Sequence, residues 1–178
     1  GGWSSWDASM TINSGSIKAT SKGAVAAIGA GHNTKNFGVI INGGTVEAHA
    51  EGWGAAIGIP GDLFGDKNSN DVNITINGGE VIASNRKTRE TAEYRSGAVI
   101  GSGYFSGYEQ KVTLNIPEDS TAELDLTSNY GGAAIGTGGS WTGAQVDAIL
   151  LGGGSSEEII ANIAGGNIKI NADGQAAG

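Results

Sequence analysis

The chain contains no cysteine. A disulfide frame and a thiolate metal site are both excluded. Proline occurs only twice, methionine once, and aromatic residues make up 6% of the 178 positions. No apolar run reaches the roughly 18 residues that a membrane-spanning helix requires. Basic side chains are outnumbered, 10 Lys and Arg against 18 Asp and Glu, for a formal net charge of −8. A phosphate-backbone partner needs clustered cations, so no nucleic-acid ligand is expected. A net negative charge aids solubility and suits an extracellular or cell-surface setting. Helical periodicity is missing throughout, except for a short stretch at Ser155-Ser156-Glu157-Glu158. There is no phosphate-cradling loop followed by Lys, and no Gly-x-Ser-x-Gly elbow. The first residues, Gly1-Gly2-Trp3, are neither an initiator Met nor a signal peptide. The expectation is a processed piece of a larger multidomain protein.

What the chain does have is glycine, 33 residues in all, well above the usual ~7%. It is spaced by alternating apolar residues, which marks tight corners between strands. Two signatures recur. The first is Ile12-Asn13-Ser14-Gly15-Ser16-Ile17-Lys18-Ala19, repeated from Ile41 to Ala48 and from Ile76 to Ala83 with Asn-Gly-Gly at the corner. A degenerate copy runs from Ile116 to Leu124, with Pro117-Glu118-Asp119 at the corner. The second is Val25-Ala26-Ala27-Ile28-Gly29, which returns around Ile57, Ile100 and Ile135 at separations of 29, 43 and 35 residues. The two signatures alternate strictly. A short repeat with elastic insertions predicts a solenoid whose strands are fixed and whose loops vary.

The fold expected is all-β: a right-handed parallel β-helix of about four to five three-stranded coils, with rungs ~4.8 Å apart. Residues 1–10 are expected to form an N-terminal cap or flank, 11–150 the repeat coils, and 151–178 a terminal coil or closing segment. Equivalent residues should then form columns. Ile28, Ile57, Ile100 and Ile135 make an aliphatic one, and Asn13, Asn42 and Asn77 an amide ladder at an inward turn. On the outer face of the second wall one column should read Lys18, Glu47, Ile82, Glu123 and the next Thr20, His49, Ser84, Asp125.

The Ile-Asn-Gly-Gly-x-Val-x-Ala and Gly-Ala-Ala-Ile-Gly units resemble the glycine-rich β-helix repeats of large surface proteins of gut-type Gram-positive bacteria. More broadly they resemble the pectin-lyase-like superfold. The similarity spans roughly residues 10 to 150. That resemblance implies the company of polysaccharide lyases, glycosidases, carbohydrate-binding modules and adhesin stalks. No catalytic motif carries over, and a fold does not fix a function.

Three constellations could carry chemistry. Each loop after an Ala-Ala-Ile-Gly unit bears a ring: His32 and Phe37, then Phe64, then Tyr104, Phe105 and Tyr108, then Trp141, with Trp53 just ahead of its unit. Emerging from one edge of a solenoid, Trp53, Phe64, Tyr104, Phe105, Tyr108 and Trp141 would stack on sugar faces. The plainer alternative is that they pack on one another to fasten glycine-rich loops. Glu47, Glu123 and Asp125 on the charged wall would be the acids of a lyase or glycosidase, with Arg86, Lys87 and Arg89 nearby for an anionic sugar. The alternative there is a solvated strand face. Asp62, Asp66, Asn68, Asn70 and Asp71 crowd one loop and mimic the first half of an oxygen-rich calcium loop, although the usual Gly and terminal Glu are missing. An ice-binding wall would want regular outward threonines, which the second and third walls lack. The reading favoured is a non-catalytic module of a secreted or surface bacterial protein that binds polysaccharide or glycan. A polysaccharide-cleaving fragment and a structural spacer or adhesin stalk are the alternatives.

Overall fold

The structure, a computed structural model, describes residues 7–31, 34, 36–61, 71–85, 96–104, 110–129, 132–138 and 157–173. These residues contain strands and no helix. The chain runs through β1 (Asp7–Ile12), β2 (Ser16–Ser21) and β3 (Ile28–Gly29), then β4 (Asn36–Ile41), β5 (Thr45–Ala50) and β6 (Ile57–Gly58). It continues with β7 (Asp71–Ile76), β8 (Glu80–Asn85) and β9 (Ile100–Gly101), then β10 (Gln110–Ile116), β11 (Glu123–Asn129) and β12 (Ile135–Gly136). It ends with β13 (Glu157–Ile163) and β14 (Asn167–Asp173).

Every third strand pairs in parallel, giving sheets of order β1-β4-β7-β10-β13, β14-β11-β8-β5-β2 and β12-β9-β6-β3. Each unit therefore stacks on the one before it. Parallel pairing fits this sequence because the inward positions are nearly all apolar. Val39, Ile41, Val72, Ile74 and Ile76 of the first sheet, and Val46, Ala48, Val81 and Ala83 of the second, are fully buried. Burying each large aliphatic side chain stabilises the fold by about 1.5–3 kcal/mol. The isoleucine column forms as expected, with Ile28 opposite Ile57, Ile57 opposite Ile100 and Ile100 opposite Ile135.

In the first three units the corner between the first and second sheets is an Asn followed by a residue pair ending in glycine. Gly44, with φ +87°, lies in the left-handed region that favours glycine. The asparagines do form a ladder: the Asn42 amide donates to Asn13 Oδ1 at 2.8 Å and the Asn77 amide to Asn42 Oδ1 at 2.7 Å. They point outward into solvent rather than inward. The strand before the corner buries the isoleucine, so alternation throws the next residue to the outside.

The third side of the coil is a parallel sheet of two-residue strands, each closed by a tight turn. In three successive units an N–H donates to the carbonyl four residues on: Ala55 to Ile59 at 3.1 Å, Ala98 to Ser102 at 2.8 Å and Ala133 to Thr137 at 3.1 Å. The glycines on this side, Gly29, Gly58, Gly101 and Gly136, have φ between +142° and +152°. Ala56, Val99 and Ala134, just ahead of the isoleucines on this side, are buried.

The first rung begins at Asp7, inside the stretch expected to be a cap or flank. β13 and β14 do not pair with each other but extend the first and second sheets by a fifth rung.

Candidate functional site

Of the six rings expected to stack on sugar, two are described. Trp53 lies between β5 and β6, and Tyr104 follows β9. The coil geometry brings them together, with ring centroids 6.2 Å apart and planes tilted by 58°. The Tyr104 amide donates to the Trp53 carbonyl at 2.6 Å. Trp53 is half-buried, whereas Tyr104 is only 4% exposed. Tyr104 does not present a ring face to solvent; it fastens one coil to the next through Trp53. Phe37, another of the loop rings, faces the core on β4. Phe64, Phe105, Tyr108, Trp141 and His32 lie outside the described residues.

The outer face of the second sheet is charged, and its register corrects the expected columns. Asp125, not Glu123, lies opposite Ile82, while Glu123 lies opposite Glu80. The cause is the corner between β10 and β11. Three residues separate Ile76 from Glu80, but six separate Ile116 from Glu123. The longer corner is held by Ser120, whose hydroxyl donates to the Ile76 carbonyl at 2.9 Å and accepts from the Ala122 amide at 3.2 Å. Glu47 and Glu123 therefore stand in different columns.

The carboxylates of this face are engaged from neighbouring rungs. Lys18 donates to Glu47. Lys169 and Asn171 donate to Asp125 at 2.9 and 3.0 Å, and Asn167 to Glu123 at 2.9 Å. The Lys18 ammonium holds the Glu47 carboxyl below its ordinary range, first by hydrogen bond and then by charge. A general acid needs the opposite shift.

His49 joins Glu47 to Ser84: its Nδ1 is 2.8 Å from Ser84 Oγ and its Nε2 3.7 Å from Glu47 Oε2. The order hydroxyl, imidazole, carboxylate is that of an activated nucleophile. However, β5 and β8 are both paired on each side, so their own N–H groups are spent in the ladder and supply no oxyanion donor. The trio works as a cross-strand tie. Arg86, Lys87 and Arg89 lie outside the described residues.

The candidate cation loop is represented by Asp71 alone. It is exposed at the start of β7, with Asn36 and Lys111 as its rung partners. Asp62, Asp66, Asn68 and Asn70 lie outside the described residues. No group of three metal-ligating side chains occurs among the described residues.

A second flat surface, which sequence reasoning passed over, is the outer face of the first sheet. One column runs Asp7, Asn36, Asp71, Lys111, Glu158. The next runs Ser9, Gly38, Asn73, Thr113, Ile160. The third runs Thr11, Ile40, Thr75, Asn115, Asn162. The alternation of β4, β7 and β10 carries this face in the sequence, although it bears fewer charges than the second sheet's.

No family model matches the chain, and neither a curated protein nor a solved structure matches it.

Proposed function

We propose that the chain is a right-handed parallel β-helix that serves as a non-catalytic polysaccharide-binding module of a secreted or cell-surface protein. Right-handedness follows the general rule for connections between parallel strands of one sheet. The observation that carries the functional reading is the in-register stacking of outward, mostly polar side chains over five rungs of two sheets. Such a surface repeats every ~4.8 Å along the coil axis, near the rise of one sugar in an extended glycan. A repeating ligand is met by a repeating row of donors and acceptors. The described carboxylates of the charged wall are tied to neighbouring side chains, which favours binding over cleavage.

Affinity electrophoresis of the chain through gels containing hydroxyethylcellulose, xylan or polygalacturonate tests this. Retardation by at least one polymer is expected, without release of reducing ends. Free migration in all three gels overturns the reading and leaves a spacer. Trp141→Ala and Tyr108→Ala, run beside the parent, report whether the loop rings contribute.

A further inference from the structure

We propose that the outer face of the first sheet is the docking surface, and that its ligand is an uncharged, extended β-linked glycan lying along the coil axis. This rests on the glycan-binding reading and says which face is used and which class of glycan fits. The chain carries 18 acidic and 10 basic residues, yet the second and third columns of this face contain no ionisable group. Charge is confined to the column at its leading edge, headed by Asp7. By contrast, the outer face of the second sheet bears Lys18, Glu47, Glu80, Glu123, Asp125 and Lys169. A polyanion meets no free cation in the neutral columns, and any charged ligand would lose hydration there without a partner. An uncharged polyhydroxyl chain is the complement such a surface fits.

The relief and chemistry of the centre agree. Gly38 leaves a low floor, where an added Cβ would reach only to 3.6 Å from the Ser9 Cβ. Two residues along the same strand and face, Ile40 is 40% exposed between Thr11 and Thr75. A flat apolar spot of that kind takes the C–H face of a sugar ring. On the next rungs Asn73, Thr75 and Thr113 make no side-chain hydrogen bond among the described residues, so their donors and acceptors face outward unspent. Asn115 accepts from Asn162 at 2.9 Å, which orients its carbonyl and leaves its own amide to donate. Apolar contact below and polar groups beside it are the two components of sugar recognition.

The test uses the whole chain in gels containing hydroxyethylcellulose or polygalacturonate. Asn73→Glu and Thr75→Lys each place one charge in the neutral field at an outward position. Asp119→Lys adds a cation at the exposed corner outside the face. Expected are retardation by hydroxyethylcellulose that is insensitive to added salt, a roughly tenfold or greater weakening by each face variant, and none by Asp119→Lys. Unaltered circular dichroism of the variants shows that the fold persists. Parent-like retardation of both face variants, or retardation by polygalacturonate alone, overturns this inference while glycan binding stands. No retardation by either polymer, nor by xylan, overturns both.

Discussion

Replacing Gly58 with alanine tests the stacking geometry most directly. Gly58 has φ +142°, a backbone conformation that costs an L-residue about 1–3 kcal/mol. The larger effect is steric. A Cβ on Gly58 would lie 1.9 Å from the Gly101 carbonyl oxygen, with the Gly101 carbon and nitrogen also in reach. That oxygen accepts the Ile59 N–H at 2.9 Å, so the methyl displaces a hydrogen bond that holds one rung to the next. Gly101 cannot retreat, because its own Cβ position points at the Gly136 oxygen. Leaving a buried donor and acceptor apart costs a further ~1–3 kcal/mol. Gly58→Ala should therefore lose about 2–6 kcal/mol, a large share of the ~5–15 kcal/mol typical of a domain. Gly15→Ala is the control. It has φ +91° with nothing near its Cβ position, so it should lose only the backbone part. Urea denaturation followed by circular dichroism gives both values. If the two variants differ by less than about 1 kcal/mol, a quantity set by the contact, the glycine column is not a close-packed contact and the reasoning fails.

Two further outcomes follow from buried and exposed polar groups. Asn85 is fully buried; its amide donates to the Gly97 carbonyl at 2.7 Å and its Oδ1 accepts the Asn129 N–H at 2.6 Å. Asn85→Ala strands both partners and should cost about 2–4 kcal/mol in urea denaturation; a loss below ~0.5 kcal/mol would show that the clamp is not a stabilising element. Glu47 is held low by Lys18, so its contribution is present above the ordinary carboxylate range and disappears as pH falls through its lowered value. Lys18→Met should raise the Glu47 midpoint, read from its carboxyl resonance, and Glu47→Gln should flatten the acid limb of the melting curve; an unmoved midpoint in Lys18→Met removes Lys18 as the cause.

How far the sequence could be read depended on whether a feature lay within one unit or between units. The strands and the isoleucine column were legible because Ile57 and its equivalents sit in a rigid pentapeptide repeat. The fourth unit defeated the column reading. Its corner is longer by three residues than that of the third, and composition does not tell which residues a turn absorbs. Ser120 does the work there by capping Ile76, a long-range contact with no local signature. The inside-or-outside error at Asn42 had a different origin. An amide ladder is stable on either side of a turn, so hydrogen-bonding capacity alone could not decide it. The Trp53–Tyr104 contact joins rings 51 residues apart in sequence, so it fits the ring-on-ring alternative and carries no local signature.

Stacking also explains why the two outer faces differ in regularity. When identical units lie in parallel register, each side chain meets its own equivalent, and a repeated charge meets itself. Charged columns must then alternate or be interrupted. Lys18 lies on Glu47, Ile82 intervenes, and Asp125 lies under Lys169. Where the rule is broken, at Glu80 beside Glu123, each carboxylate has a donor on its far side, Thr45 at 3.4 Å and Asn167 at 2.9 Å. Amides carry donor and acceptor together and hydroxyls do the same, so Asn and Thr can follow one another up a column without repulsion. A parallel coil stack can therefore repeat polar groups of one kind up a column only where those groups are neutral. The first sheet has two columns free of ions beside one charged column, whereas the second alternates its ions.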